Sequence, residues 1–231
     1  MTVSPENIVN PSDLAPYIQH TRIAIGTTKE EAIQHAEEAV TYGFNAAMVA
    51  GSRVKETAAV LRGTGIEVAS ALDFPTTGVM TSRGKAAEAE ELVRLGATQI
   101  DIGVQIGWLK DGEFDRFRED IAGVVACGVP IKVMLELPLL TPELQKTAVE
   151  LSIEAGVKYL KNASSGSVQK ADVESIKFLK SLAPEGVLVK GSGGISTFEH
   201  ALSLIQAGAA LVGSSNSVAI VTGHLNNADS Y

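Results

Sequence analysis

The chain has 231 residues, 45% of them hydrophobic, and a formal net charge of -8: enough apolar material for a sizeable core, and the wrong sign for a protein that tracks nucleic-acid phosphates. The single cysteine, Cys127, excludes a disulfide framework and a cysteine-based zinc site and suits a reducing compartment. The opening stretch MTVSPENIVNPSDLAPYIQHT lacks a basic start and an apolar core, and no apolar run is long enough to span a bilayer, so a cytoplasmic protein with no membrane segment and no nucleic-acid partner is expected.

In chain order, YIQHTRIAI is the first short apolar run. It is followed by YGFNAAMVA, GIEVASALDF, GATQIDIGV, GVPIKVMLEL, GVKYLK, GVLVKG and GAALVGS, each with a glycine at or near its start. Between them, stretches such as TKEEAIQHAEEAVTY, SRGKAAEAEELVRL, ELQKTAVELSIEA and FEHALSLIQA space their apolar residues as a helix does, and the glycine after each suits a helix C-cap. The runs are too apolar for a sheet wetted on one face, and the helices supply the crossovers that parallel strands need. Eight such strands predict an α/β fold, a (β/α)8 TIM barrel over residues 1–231, with a doubly wound sheet as the competing architecture. The last stretch, from about 223 to 231, reads as a short flexible tail.

A barrel gathers its chemistry at the C-terminal ends of its strands. There the runs carry Asp101 in QIDIG, Glu136 in VMLEL, Lys161 in VKYLK and Lys190 in VLVKG. Strand alternation lets Lys161 and Lys190 both point inward. A lone lysine at a strand end is most often a solvated charge, but two on adjacent strands before small-residue loops suggest a reactive amine: one ammonium disfavours another in a dry pocket, leaving a neutral nucleophile, while Asp101 holds the second lysine charged and helps move protons. KGSGGIST and GSSNS, with Gly193, Gly194, Ser214 and Ser215, stand where this fold commonly binds phosphate. GSGGIS is not a dinucleotide fingerprint, because Ser196 occupies the third glycine position.

Other chemistries find little support. The four histidines form no H-x-H or H-E-x-x-H pair, so no metal centre is expected. His35 and His200 lie in helical stretches and are expected at the surface; His20 suits a site role or a core hydrogen bond equally; Cys127 reads as a small buried residue. Tyr231 ends the flexible stretch on a phenol, which could fold over the barrel mouth and pass a proton.

Taken in order, IQHTRI, IDIGVQIGWLKDG, IKVMLELPLLT, YLKNASSG, VLVKGSGGIST and VGSSNSVAIV resemble the deoxyribose-phosphate aldolases over nearly the whole chain. The resemblance implies that Lys161 forms a Schiff base, that Lys190 lowers its pKa, and that Asp101 relays protons. Gly193, Gly194, Ser214 and Ser215 then bind the substrate phosphate, with Ser165 and Gly166 as further substrate contacts. It implies reversible cleavage of 2-deoxy-D-ribose 5-phosphate to glyceraldehyde 3-phosphate and acetaldehyde. No metal or organic cofactor is implied, because the imine on Lys161 is the electron sink.

Four places depart from the family pattern. Gln19 stands where an Asp is usual, removing a negative charge near Lys190. The segment around Met48 lacks the usual Cys and Pro, NASSG replaces the usual Thr-Ser-Thr-Gly after Lys161, and ELPLL replaces a Glu-Thr-Gly type sequence. A Schiff-base aldolase for another phosphorylated sugar or keto donor, and a non-catalytic barrel that binds a sugar phosphate, therefore stand as alternatives. A homodimer or other small homo-oligomer is the default assembly.

Overall fold

The computed structural model describes residues 4–223; the expectations placed on Tyr231 and on the tail beyond Gly223 lie outside them. Eight strands run β1 Ile18–Arg22, β2 Ala46–Ala50, β3 Glu67–Leu72, β4 Gln99–Gly103, β5 Ile131–Met134, β6 Tyr159–Lys161, β7 Leu188–Ser192 and β8 Leu211–Ser214. All pair in parallel in sequence order, and β8 returns to β1, with His20 opposite Ser214. This closure excludes the doubly wound sheet. The helices are α1 Lys29–Tyr42, α2 Val54–Leu61, α3 Ser82–Leu95, α4 Ile106–Asp111, α5 Phe114–Val125, α6 Pro142–Glu154, α7 Val173–Leu182, α8 Phe198–Gln206 and α9 Ser217–Thr222. None of these is long and apolar enough to cross a membrane.

Local signals set the helix ends. Thr28 caps α1 by accepting from Glu31 N, and Glu31 reaches back to Thr28 N at 2.8 Å, so two otherwise orphaned donors are satisfied. At the other end Gly43 takes φ 71°, a left-handed conformation that costs glycine little and reverses the chain into β2.

The sheet wall separates two interiors. Strand residues such as Val49, Ile100, Ile102, Val133, Leu160 and Val189 face the helices and belong to the main apolar core. The alternate residues face the barrel axis, where Ala46, Met48 and Ala69 form a separate small cluster. The rest of the axis is unusually polar: Gln19, Gln99, Asp101, Lys132, Lys161 and Lys190 are all buried. Buried charge is tolerated only when paired, so these groups must find partners across the axis.

Three expectations are corrected here. His35 is not at the surface but 3% exposed, because it lies on the same stripe of α1 as the buried Ala32, Ala36 and Ala39. His200 is half-buried, with Nε2 2.8 Å from the Ala171 carbonyl. Cys127 also departs from expectation, being partly exposed at the turn after α5.

Candidate active site

Five strands bring five polar side chains to one point on the axis. Asp101 Oδ2 accepts from Lys161 Nζ at 3.0 Å and from Lys190 Nζ at 2.7 Å, while its other oxygen lies 3.2 Å from Lys132 Nζ. Lys190 also donates to Gln19 Oε1 at 2.6 Å. Register explains the convergence: Lys161 sits opposite Lys190, and Asp101 opposite Lys132. Asp101, Lys132 and Lys190 are at most 1% exposed, and Lys161 is 6% exposed.

One carboxylate thus faces three lysines. Burial alone would raise the Asp101 carboxyl, yet Lys190, Lys161 and Lys132 outweigh it and hold the group far below the usual carboxylate range. Burial is also the main influence on Lys190 and Lys132; it pushes both below the ordinary lysine value, well below for Lys190, although Asp101 pulls the other way. A single buried negative charge does not compensate three ammoniums, so burial disfavours the charged forms of Lys190 and Lys132.

Asp101, Lys161 and Lys190 form the floor of a pocket of about 650 Å³, a volume that includes the open space at its mouth. Ile23, Met48, Ala71 and Phe74 make an apolar wall, and Ser164, Ser165, Gly193, Gly194 and Ser215 a polar one. Lys132 lies beneath, outside the pocket lining. Gly193 and Gly194 take φ 115° and 61°. A Cβ on Gly193 would stand 2.1 Å from the Gln169 carbonyl oxygen, so only glycine lets these two loops touch. Ser214 and Ser215 divide in role. The Ser214 hydroxyl is committed to the protein, donating to the Ile195 carbonyl at 2.6 Å and accepting from Asn216 N at 2.9 Å, whereas Ser215 is exposed at the rim. Ser165 lines the pocket with its hydroxyl 2.7 Å from that of Ser167, and Gly166 stands on the outer side of the mouth.

The loops in which the chain departs from the family pattern are tied together beside the pocket. Asn162, fully buried, donates to the Ser192 carbonyl at 3.0 Å and accepts from Ser192 N at 2.9 Å, lacing the loop after Lys161 to the end of β7. Glu136, at φ 49°, accepts from Ser164 N at 3.1 Å and ties the loop after β5 to the same segment.

Two further groups were not legible as sites in the sequence. Lys132 stands one strand from Asp101 in IKVM, but nothing in that string distinguishes an inward lysine from an edge charge. Lys85, fully buried on α3, donates to Asp120 Oδ2 at 2.7 Å and the Gly103 carbonyl at 2.9 Å, and lies 3.2 Å from Asp73 Oδ2. Asp73 in turn accepts from the backbone of Gly78, Val79 and Met80, so this buried knot anchors the loop that carries Phe74.

His20 on β1 meets His35 and Glu38 on α1, with candidate ligand atoms within 4.8 Å of one another. Their geometry is that of a hydrogen-bonded stack. The imidazole rings lie 3.8 Å apart, His35 Nε2 donates to the His20 carbonyl at 3.0 Å, and His20 Nε2 pairs with Glu38 Oε2 at 3.0 Å. Burial, then the neighbouring His20, push His35 down to about 2.

No protein-family model matches the chain. It is 38% identical over 94% of its length, and over 97% of the relative, to a deoxyribose-phosphate aldolase of Methanothermobacter thermautotrophicus. It is 40% identical over 89% of its length, and 94% of the relative, to that of Thermosynechococcus vestitus. Among solved structures, a deoxyribose phosphate aldolase from Aeropyrum pernix, described as tetrameric, superposes with a TM-score of 0.86 at 28% identity, covering 94% of this chain and 93% of that one. Sequence identity at this level across almost the full length of both partners, on the same closed barrel, places the chain in the deoxyribose-phosphate aldolase family.

Proposed function

We propose that the protein is a class I, Schiff-base aldolase, a lyase that reversibly cleaves 2-deoxy-D-ribose 5-phosphate to glyceraldehyde 3-phosphate and acetaldehyde. One observation carries this reading: a single oxygen of Asp101 bridges Lys161 and Lys190 at 3.0 and 2.7 Å on the floor of a pocket rimmed by two positive-φ glycines.

The Lys161 amine attacks the C1 aldehyde, and loss of water leaves a protonated imine. Lys190 with Asp101 takes the proton of the C3 hydroxyl as the C2–C3 bond breaks. The C2–C3 electron pair moves toward the iminium, C3 leaves as the aldehyde carbon of glyceraldehyde 3-phosphate, and an enamine remains on Lys161. Protonation of C2 by the same pair and hydrolysis of the imine release acetaldehyde and restore the amine. The iminium is the electron sink, so the scheme uses no metal or organic cofactor.

The phosphate is assigned to the N–H groups of the Gly193–Gly194 loop, with Ser215, Ser165 and Gly166 at the rim. Ser214, which also lines the pocket, shapes this loop through its hydroxyl. A small homo-oligomer is the proposed assembly, supported by the tetrameric description of the Aeropyrum pernix enzyme, and a cytoplasmic location suits the absence of a membrane-crossing helix among the described residues.

Borohydride reduction in the presence of acetaldehyde tests the chemistry. One two-carbon adduct on Lys161, by peptide mass spectrometry, is expected; reduction that leaves the protein unmodified favours a non-catalytic binding barrel. A donor and acceptor screen then separates deoxyribose phosphate from other phosphorylated sugars.

A further inference from the structure

Gln19 is fully buried on β1, beside the seam where β1 closes against β8. Its Oε1 accepts from Lys190 Nζ at 2.6 Å, while its Nε2 donates to Gln99 Oε1 at 2.8 Å and to Asn45 Oδ1 at 3.2 Å. An amide has one accepting end and one donating end. With two acceptors on its nitrogen side, Gln19 has only its oxygen to offer Lys190.

The groups that act on Lys190 are Asp101 from β4, Lys132 from β5, Lys161 from β6 and the uncharged Gln19 from β1. A neutral oxygen satisfies one buried N–H without adding a second negative charge. A carboxylate in its place, the residue usual in the family, would hold the proton on Lys190 more tightly and move its working range to higher pH, and an apolar side chain would leave an N–H dry and the ammonium harder to keep.

We propose that Gln19 is a positioning residue of the aldol reaction: it holds Lys190 against Asp101 at the pocket floor while leaving Lys190 able to release and take up a proton. This rests on the Schiff-base reading above. In the half-reaction with acetaldehyde alone, the imine on Lys161 loses a proton from its methyl carbon to the Lys190 amine. The resulting ammonium exchanges that proton with solvent and returns a solvent proton to the enamine carbon.

Exchange of the acetaldehyde methyl protons into deuterated buffer, followed by NMR as a function of pH, tests this in the wild type, Gln19→Glu and Gln19→Leu, with borohydride trapping in parallel. Gln19→Glu is expected to move the acid limb of the profile upward by roughly one pH unit or more, which at pH values below the limb is a rate loss of about tenfold or more. Gln19→Leu is expected to move it downward. Trapping at Lys161 and the KM for acetaldehyde should stay within about threefold in both, which a merely structural defect would not produce. If Gln19→Glu does not fold, the downward shift in Gln19→Leu decides. Wild-type trapping with unmoved limbs, or limbs moving the same way in both variants, overturns the inference alone. Absence of trapping in the wild type overturns the Schiff-base reading and this inference with it.

Discussion

Lys161 and Lys190 face each other across β6 and β7 and donate to the same oxygen of Asp101. Two buried amines on one acceptor compete for one compensating charge. The first consequence concerns Lys161→Ala. It is expected to reduce both turnover and borohydride trapping to background while leaving the fold intact, because Asp101 keeps Lys190 and Lys132 as partners. Trapping that persists at another lysine would overturn the assignment of the nucleophile.

Asp101→Asn leaves three buried lysines with no carboxylate in contact. A loss of about 3–5 kcal/mol is expected, the range for breaking a buried pair from one side. Asp101 has a depressed folded pKa, so its stabilisation is present above the unfolded value and is lost only as pH falls through the folded one, far into acid. The gap between wild type and Asp101→Asn should therefore be as large at pH 5 as at pH 7 in urea titrations. Equal stability of the two proteins would show that the lysines are already neutral without Asp101.

His35 carries a second pH signature. Unfolded, it takes a proton near 6.5; folded, it resists down to about 2. Between those values the unfolded state holds the extra proton, so stability falls as pH falls, by up to about 1.4 kcal/mol per pH unit from this group. His35→Gln should be less stable than wild type at pH 7 and should lose less on acidification to pH 4. Parallel stability curves would count against a neutral, buried His35.

Gly193→Ala places a methyl 2.1 Å from the Gln169 carbonyl at a φ of 115°. The backbone strain alone is about 1–3 kcal/mol, and the two loops must part. The KM for the phosphorylated sugar is expected to rise about tenfold or more, and competitive inhibition by inorganic phosphate to weaken in step. Turnover of unphosphorylated deoxyribose should change far less. An equal loss on both substrates would move the phosphate away from this loop.

The barrel itself was legible in the chain. Apolar runs that alternate with helical stretches, each pair joined through a glycine, state a local preference at every step, and eight such units favour the barrel over the doubly wound sheet, a choice that the pairing of β8 with β1 settles. The convergence of Asp101, Lys161 and Lys190 was legible for a related reason: a charge at the end of an apolar strand conflicts with its neighbours, and strand alternation lets all three turn to the axis, where they meet.

Beyond that, the tertiary structure decided. The helical stretch that carries His35 does not by itself say which of its faces the barrel will cover. Lys132 and Lys85 look like ordinary cations until the strands and helices around them remove water from every side. Gln19 appeared in the sequence only as a missing charge, and three neighbours distant along the chain, Asn45, Gln99 and Lys190, turn it into an oriented acceptor. Periodicity is a property of consecutive residues, so sequence determines which segments become strands and helices. Desolvation and charge balance depend on groups brought together by folding, so the state of each amine in the pocket is determined only there.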